Sequence, residues 1–199
     1  MEAHAGGSRA DAQRDRILNA ALKCFIGHGF HAASMANIAE AAQMSAGLIY
    51  RYFENKNAIV LAIVERQLEE KQAFIRQLQS SEQIVDGLVD AFETWSRPGA
   101  GTMSVALMLE MSAEATRDPR IAEALRASDT VTRGAFEAWL RRPREQGGLG
   151  FDAHEAHRRA LGVRLVVDGL ALRAAREPDL DRAEVRTAIE QVVKKLLEE

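Results

Sequence analysis

Between Ser45 and Lys56 the chain gathers groups that suit one chemistry, the recognition of a polyanion with readable edges. Ala46 and Gly47 are small enough to let a backbone approach base edges and thymine methyl groups. Both tyrosines of the chain, Tyr50 and Tyr52, add hydroxyls, while Arg51 adds a guanidinium and Lys56 an ammonium. Duplex DNA is the partner these types imply. Enzymatic chemistry has no comparable set. There is no Gly-rich phosphate loop, no nucleophile elbow and no run of metal ligands at a recognised spacing, so no catalytic residue, cofactor or metal site is expected. Glu110 and Glu114, four apart, read as a solvated acidic helix face. His154 and His157 have metal-ligand spacing beside Glu155, but no third ligand accompanies them and the first turn of a helix is ordinarily solvated.

Groups that read DNA need a rigid carrier, and the flanking residues supply one. Ser34 is placed to cap a short helix by accepting a backbone N–H near Asn37, and Ile38, Ala39 and Ala42 form its apolar face. The two alanines let a second helix cross closely after a turn at Gln43 and Met44, with Ser45 as its cap. Ile49 and Phe53 then face inward, which leaves Gly47 and Arg51 on the opposite side, flanked by Ala46 and Tyr50. Lys56 follows in the first turn of the next helix, capped by Asn55, where an ammonium and free N–H groups can meet a phosphate.

On these residues the segment resembles the DNA-binding domain of the TetR/AcrR family of bacterial transcriptional repressors. The match runs through a preceding helix at about residues 10 to 28, Gly29 and Phe30, Ser34, Ile38 and Ala39. It continues through Ser45, Gly47, Ile49, Tyr50, Tyr52, Phe53 and Lys56 in unbroken register. Two positions depart from the family pattern. Gln43 stands where glycine is common, at a cost of about 1 kcal/mol if the turn needs a positive φ. Asn37 stands where an acidic residue commonly completes a capping box with Ser34. The resemblance implies that Tyr50 and Lys56 meet mainly phosphates, that Gly47, Arg51 and Tyr52 face the groove, and that Ser34 caps its helix near the backbone.

Composition sets the remaining bounds. A chain of 199 residues with 47% hydrophobic content can hold a small module and a larger one. The apolar runs are too short to span a bilayer, the N-terminal MEAHAGGSRA has no apolar signal core, and Cys24 is the single cysteine, all of which point to the cytoplasm. Cys24 shares the apolar side of its helix with Ile17, Ala21 and Phe25, so packing is its expected role. The net charge of -3 is unevenly spread. Up to residue 57, Arg9, Arg14, Arg16, Lys23, Arg51 and Lys56 outnumber Glu2, Asp11, Asp15, Glu40 and Glu54 by one, which leaves the rest of the chain acidic.

An all-α fold is therefore expected, with a three-helix helix-turn-helix domain at 1–57 and a larger helical ligand-binding and dimerisation domain at 58–199. Helices are expected at about 56–79, 82–96, 102–116, 119–142, 153–176 and 182–197, with caps at Asp118, Asp152 and Asp181. Residues 1–9 and the stretch from Pro143 to Gly150 read as flexible. In order, the helices at 119–142 and 153–176 correspond to the family's dimerisation pair. The second carries His157, Ala160, Leu161, Arg164, Val167, Asp168 and Ala171 as the candidate interface. Phe74, Phe92, Trp95, Met103, Leu107, Met111 and Phe136 are candidates for lining a small-molecule pocket. The implied function is a homodimeric repressor of a palindromic operator, released by an inducer of unknown identity. The alternative is an architectural or division-linked DNA binder that needs no inducer.

Overall fold

Short polar side chains start the helices, as the sequence requires. In a computed structural model, which describes residues 4–78, 80–97 and 105–198, Ser34, Ser45, Ser80, Asp152 and Asp181 each sit in extended backbone and accept an N–H from the first turn that follows. Asn55 does the same for Ala58 at 2.9 Å and Asp118 for Arg120 at 2.8 Å. The helices so opened are α1 (His4–His28), α2 (Met35–Ala42), α3 (Ala46–Tyr52), α4 (Lys56–Gln77), α5 (Ser81–Ser96), α6 (Val105–Ala115), α7 (Pro119–Arg141), α8 (Ala153–Arg176) and α9 (Arg182–Leu197). Among the described residues there is no strand, and no helix is long and apolar enough to cross a membrane.

Two compact units divide the chain, with boundaries within α4, between α5 and α6 and within α7. The first holds the described residues of Met1–Arg66 and Gly101–Leu125, and the second those of Gln67–Ala100 and Arg126–Glu199. In the first, α1 packs on α2 and α6 around Ile17, Phe25, Ile38, Ile49, Ile59 and Ile63, all at most 1% exposed. In the second, α5, α8 and α9 pack together, and Trp139, Leu140, Val89 and Ala156 are completely buried.

Two stretches expected to be flexible take regular structure where they are described. Helix α1 already begins at His4. The stretch after Pro143 forms a single 3₁₀ turn, Arg144–Gln146, closed by hydrogen bonds from Gly148 N–H to Pro143 O at 3.1 Å and from Phe151 N–H to Leu140 O at 3.0 Å. The cause is Trp139. Its ring is fully buried, its indole N–H needs an acceptor, and Gly147 O supplies one at 3.0 Å.

The turn between α2 and α3 carries the strain expected of it. Gln43 has φ 53 and ψ 47, and the bonds from its own N–H to Glu40 O and from Met44 N–H to Ala39 O, both 2.9 Å, close a Schellman cap in which that position favours glycine. Arg16 offsets part of the cost through its guanidinium, 3.4 Å from Gln43 O and 3.3 Å from Gln43 Oε1. Relief of the left-handed strain by Gln43→Gly is worth about 1–2 kcal/mol before the loss of the Oε1 contact and the extra chain entropy of glycine. A net rise of a few degrees in the thermal midpoint is expected, checked by calorimetry. An unchanged or lower midpoint would mean that Arg16 compensates fully.

Candidate nucleic-acid interface

The α2–α3 pair is built so that one face of α3 is buried and the other bare. Ile49 is fully buried and the capping Phe53 is 3% exposed, whereas Ser45, Ala46, Gly47, Tyr50 and Arg51 are exposed. Tyr50 shows 56% of its surface. Nothing lies within 4 Å of the place where a Cβ on Gly47 would stand, so no neighbour in the fold demands a glycine there. Glycine inside a helix costs about 0.8–1.0 kcal/mol relative to alanine. A bare position kept bare on the outer face fits close approach by something outside the chain. Arg51 makes no hydrogen bond or ion pair among the described residues, so its five donors are free for bases or phosphates.

Ser34 serves as the expected cap. Its hydroxyl accepts from Asn37 N–H at 3.1 Å while Asn37 Oδ1 accepts from Ser34 N–H at 2.9 Å, so an amide completes the capping box in place of the carboxylate common in the family. Two other sequence expectations change. Tyr52 is half-buried and packs against the core of the first unit, so only part of its ring is open to a groove. Lys56 is also half-buried, and its ammonium donates to Phe30 O at 2.7 Å and His31 O at 3.3 Å while lying 4.7 Å from the centre of the Phe30 ring. Two of its three donors are thus engaged inside the unit. The remaining one is all that a phosphate can take without a rearrangement. Lys56→Ala is therefore expected to destabilise the fold by about 1–3 kcal/mol, seen as a fall in thermal midpoint. A phosphate contact would register separately, as a loss of about one unit in the slope of log affinity against log salt.

Glu110 and Glu114 do not form a solvated acidic face. Glu114 is 9% exposed and lies 2.9 Å from His31, and Glu110 accepts the Phe30 N–H at 2.9 Å. Both serve the turn between α1 and α2. Their spacing alone could not show this, because a pair four apart marks a face without saying what covers it. Cys24 is buried, and burial first, then the nearby Glu40 carboxylate, pushes its thiol upward, which keeps it protonated and inert. His157 Nδ1 is 2.9 Å from Glu137 Oε1, and among the described residues no three His, Cys, Asp or Glu side chains gather as a metal site.

The candidate pocket residues fall into both units. Phe92 and Phe136 belong to the core of the second unit, Trp95 packs against that core, and Phe74 is 45% exposed with its ring filling the space that Gly87 leaves. Leu107 and Met111 are core residues of the first unit, and Met103 lies outside the described residues. A cavity in the first unit is bounded by Phe25, Phe30, Val60, Ile121 and the α6 side chains Leu107, Glu110, Met111 and Glu114. Its volume is about 10 Å³, barely room for one water molecule, so it is not an inducer site.

The candidate interface on α8 also divides. Ala160 and Ala171 are 3% and 0% exposed and face the interior of their own unit, so they are not free to meet a second copy. The stripe is one helix face, and the edge of the buried side runs along it, so Ala160 and Ala171 fall inside while Leu161 falls outside. His157 and Leu161 are outer, Val167 is half-buried, and Arg164 pairs with Asp129 at 2.8 Å and Asp168 at 3.0 Å. Lys71 stands beside this trio, its ammonium pushed to a lower pKa by burial and then by Arg164, and burial also raises the Asp168 carboxyl. The large apolar side chains left exposed on α8 and α9 are Leu161, Leu165 and Val192, and Val131 is exposed on α7.

Comparison with known proteins agrees with this geometry. Residues 17–63 match the model for bacterial regulatory proteins of the tetR family, and residues 82–198 match the model for the C-terminal domain of BetI-type transcriptional repressors. The chain is 30% identical over 149 residues to the HTH-type transcriptional regulator UidR of Escherichia coli (strain K12), covering 75% of each chain. It is 31% identical over 175 residues to the HTH-type transcriptional regulator BetI of Cronobacter sakazakii, covering 82% of this chain and 79% of BetI. The solved structure of Salmonella enterica GusR superposes with a TM-score of 0.77 at 25% identity, over 94% of this chain and 96% of that one. These relatives are transcriptional regulators and not enzymes. An all-helical chain with a capped helix-turn-helix, a bare outer face on α3 and this pair of family matches belongs to the TetR family of DNA-binding transcriptional regulators.

Proposed function

We propose that the chain is a cytoplasmic, homodimeric repressor that binds a roughly palindromic operator and is released from it by a small-molecule inducer. The observation that carries the DNA contact is the exposed strip of Ala46, Gly47, Tyr50 and Arg51, open over Gly47. Ser34 and Ser45 fix the helix ends at the edges of that strip, with Tyr52 and Lys56 as partial contributors. Two such strips related by a two-fold axis would enter successive major grooves about 34 Å apart. The match to the BetI-type repressor model supports repression over activation.

Dimerisation through α8 and α9 is supported by the exposed Leu161, Leu165 and Val192. These helices pack on each other, with Leu196 of α9 close over Gly162 of α8, so the apolar groups belong to adjoining surfaces. For the inducer, the aromatic set of the second unit, Phe74, Phe92, Trp95 and Phe136, supports an apolar or aromatic ligand. The helix α4 supplies residues to both units. The ligand need only bind the conformation with low DNA affinity better, and DNA must then weaken the ligand by the same factor.

The test begins with duplexes selected by the purified chain from a random pool. Sedimentation of the complex is expected to give two chains per selected site. Amphiphilic drugs, acyl compounds and metabolites are then screened by thermal shift, and each stabilising compound is titrated against the complex. If stabilising compounds all left DNA affinity unchanged, release by an inducer would be wrong for them.

A further inference from the structure

The turn between α1 and α2 is held by groups that lie outside it, all within the first unit. The Phe30 peptide is engaged on both sides: its N–H donates to Glu110 Oε2 at 2.9 Å and its carbonyl accepts from Lys56 Nζ at 2.7 Å. One residue on, His31 Nε2 is 2.9 Å from Glu114 Oε2. Arg117 Nη1 braces the pair, 3.3 Å from the same imidazole nitrogen and 3.7 Å from the same carboxylate oxygen. Gly29 opens the turn at φ +78, and a Cβ there would stand 3.6 Å from both oxygens of Glu110. Helix α6 thus reaches two consecutive residues of the turn, Phe30 and His31, through two carboxylates one helical turn apart.

Apolar packing alone does not call for this arrangement. Glu114 lies on the same buried face of α6 as Leu107 and Met111, where a hydrophobic side chain would avoid the cost of desolvating a carboxylate. The two glutamates border a small cavity beside Phe30, so their polar contacts add to the apolar packing that holds the turn. The turn leads straight into α2: Ala33 N–H donates to Gly29 O at 3.2 Å, and the Ser34 cap follows. Helix α2 in turn packs on α3, whose outer strip meets DNA.

We propose that Glu110 and Glu114 are positioning residues for DNA binding, which fix the Gly29–His31 turn and thereby the aim of the α2–α3 pair. Neither touches DNA. The inference rests on the DNA binding of the family and not on the existence of an inducer.

Three variants of the full chain test it, titrated with a duplex selected by the wild-type chain. Glu110→Ala removes the acceptor of the Phe30 N–H, and is expected to weaken binding about tenfold and to speed hydrogen exchange in the peptide that contains Phe30. Glu110→Gln keeps an acceptor oxygen, and is expected to restore affinity to within about threefold of wild type. His31→Ala removes the partner of Glu114 at a side chain that is 67% exposed, and is expected to weaken binding several-fold with little change in thermal midpoint. Wild-type affinity in a folded Glu110→Ala overturns the proposal, as does a loss that the glutamine fails to recover. If the alanine variant does not fold, His31→Ala decides: unchanged affinity and unchanged exchange around Phe30 overturn it.

Discussion

Gly47→Leu is expected to leave the chain folded, raise its thermal midpoint and abolish specific DNA binding. The space over Gly47 is empty out to 4 Å, so a leucine side chain meets no neighbour of its own chain. Leucine also replaces the least favourable ordinary residue in a helix, a gain of up to about 1 kcal/mol, or a rise of about 2–4 °C for a chain of this size. On DNA the balance reverses. The face formed by Ala46, Gly47, Tyr50 and Arg51 can lie flat against base edges only while its centre is bare, and four added carbons hold it away from the groove floor. Unable to read base edges, the variant should bind a selected duplex at least about 100-fold more weakly and approach its own non-specific affinity. The two measurements are a melt and an anisotropy titration at fixed salt. Wild-type affinity in a folded Gly47→Leu would mean that α3 does not enter the groove with this face.

This face was legible from sequence because local rules decide it. Ile49 and Phe53 fix the inner side of α3, the period of 3.6 fixes the outer side, and Ser45 fixes the start. The left-handed Gln43 was legible only through the family resemblance, in which glycine is common at that position. Lys56, Glu110 and Glu114 were not. Their partners Phe30 and His31 lie 25 to 83 residues away, and a charged side chain at a helix surface gives no local sign of which distant group it will meet. Ala160 and Ala171 failed differently. Alanine suits close approach of a helix from the same chain as well as from a second copy, so composition could not say which helix arrives. Leu161 and Leu165, four apart on α8, are the exposed apolar pair on which the proposed interface is built. Large apolar groups left outside a filled core need another surface.

That pair sets the second large effect, on assembly. Leu165 is 64% exposed, the largest exposure among the big apolar side chains described, and with Leu161 and Val192 it marks the α8–α9 surface proposed to meet its copy. Burying a whole leucine contributes about 1.5–3 kcal/mol, so the exposed part of Leu165 is worth about 1–2 kcal/mol, and a two-fold interface counts it twice, about 2–4 kcal/mol of association in all. Leu165→Arg removes that contribution and adds a charge on each side of the axis. Its dimer dissociation constant is expected to rise by at least about 100-fold, with operator affinity falling because single heads lose the gain from two linked half-sites. Sedimentation velocity over a range of concentrations reads the first effect, and titration with a two-half-site duplex reads the second. Ala160→Arg is the contrasting variant. Its side chain is 3% exposed inside its own unit, so arginine there should unfold the chain at any concentration rather than divide a dimer. A dimer that survives Leu165→Arg with undiminished stability would place the interface elsewhere on the chain, and with it the geometry by which two recognition helices are spaced for one operator.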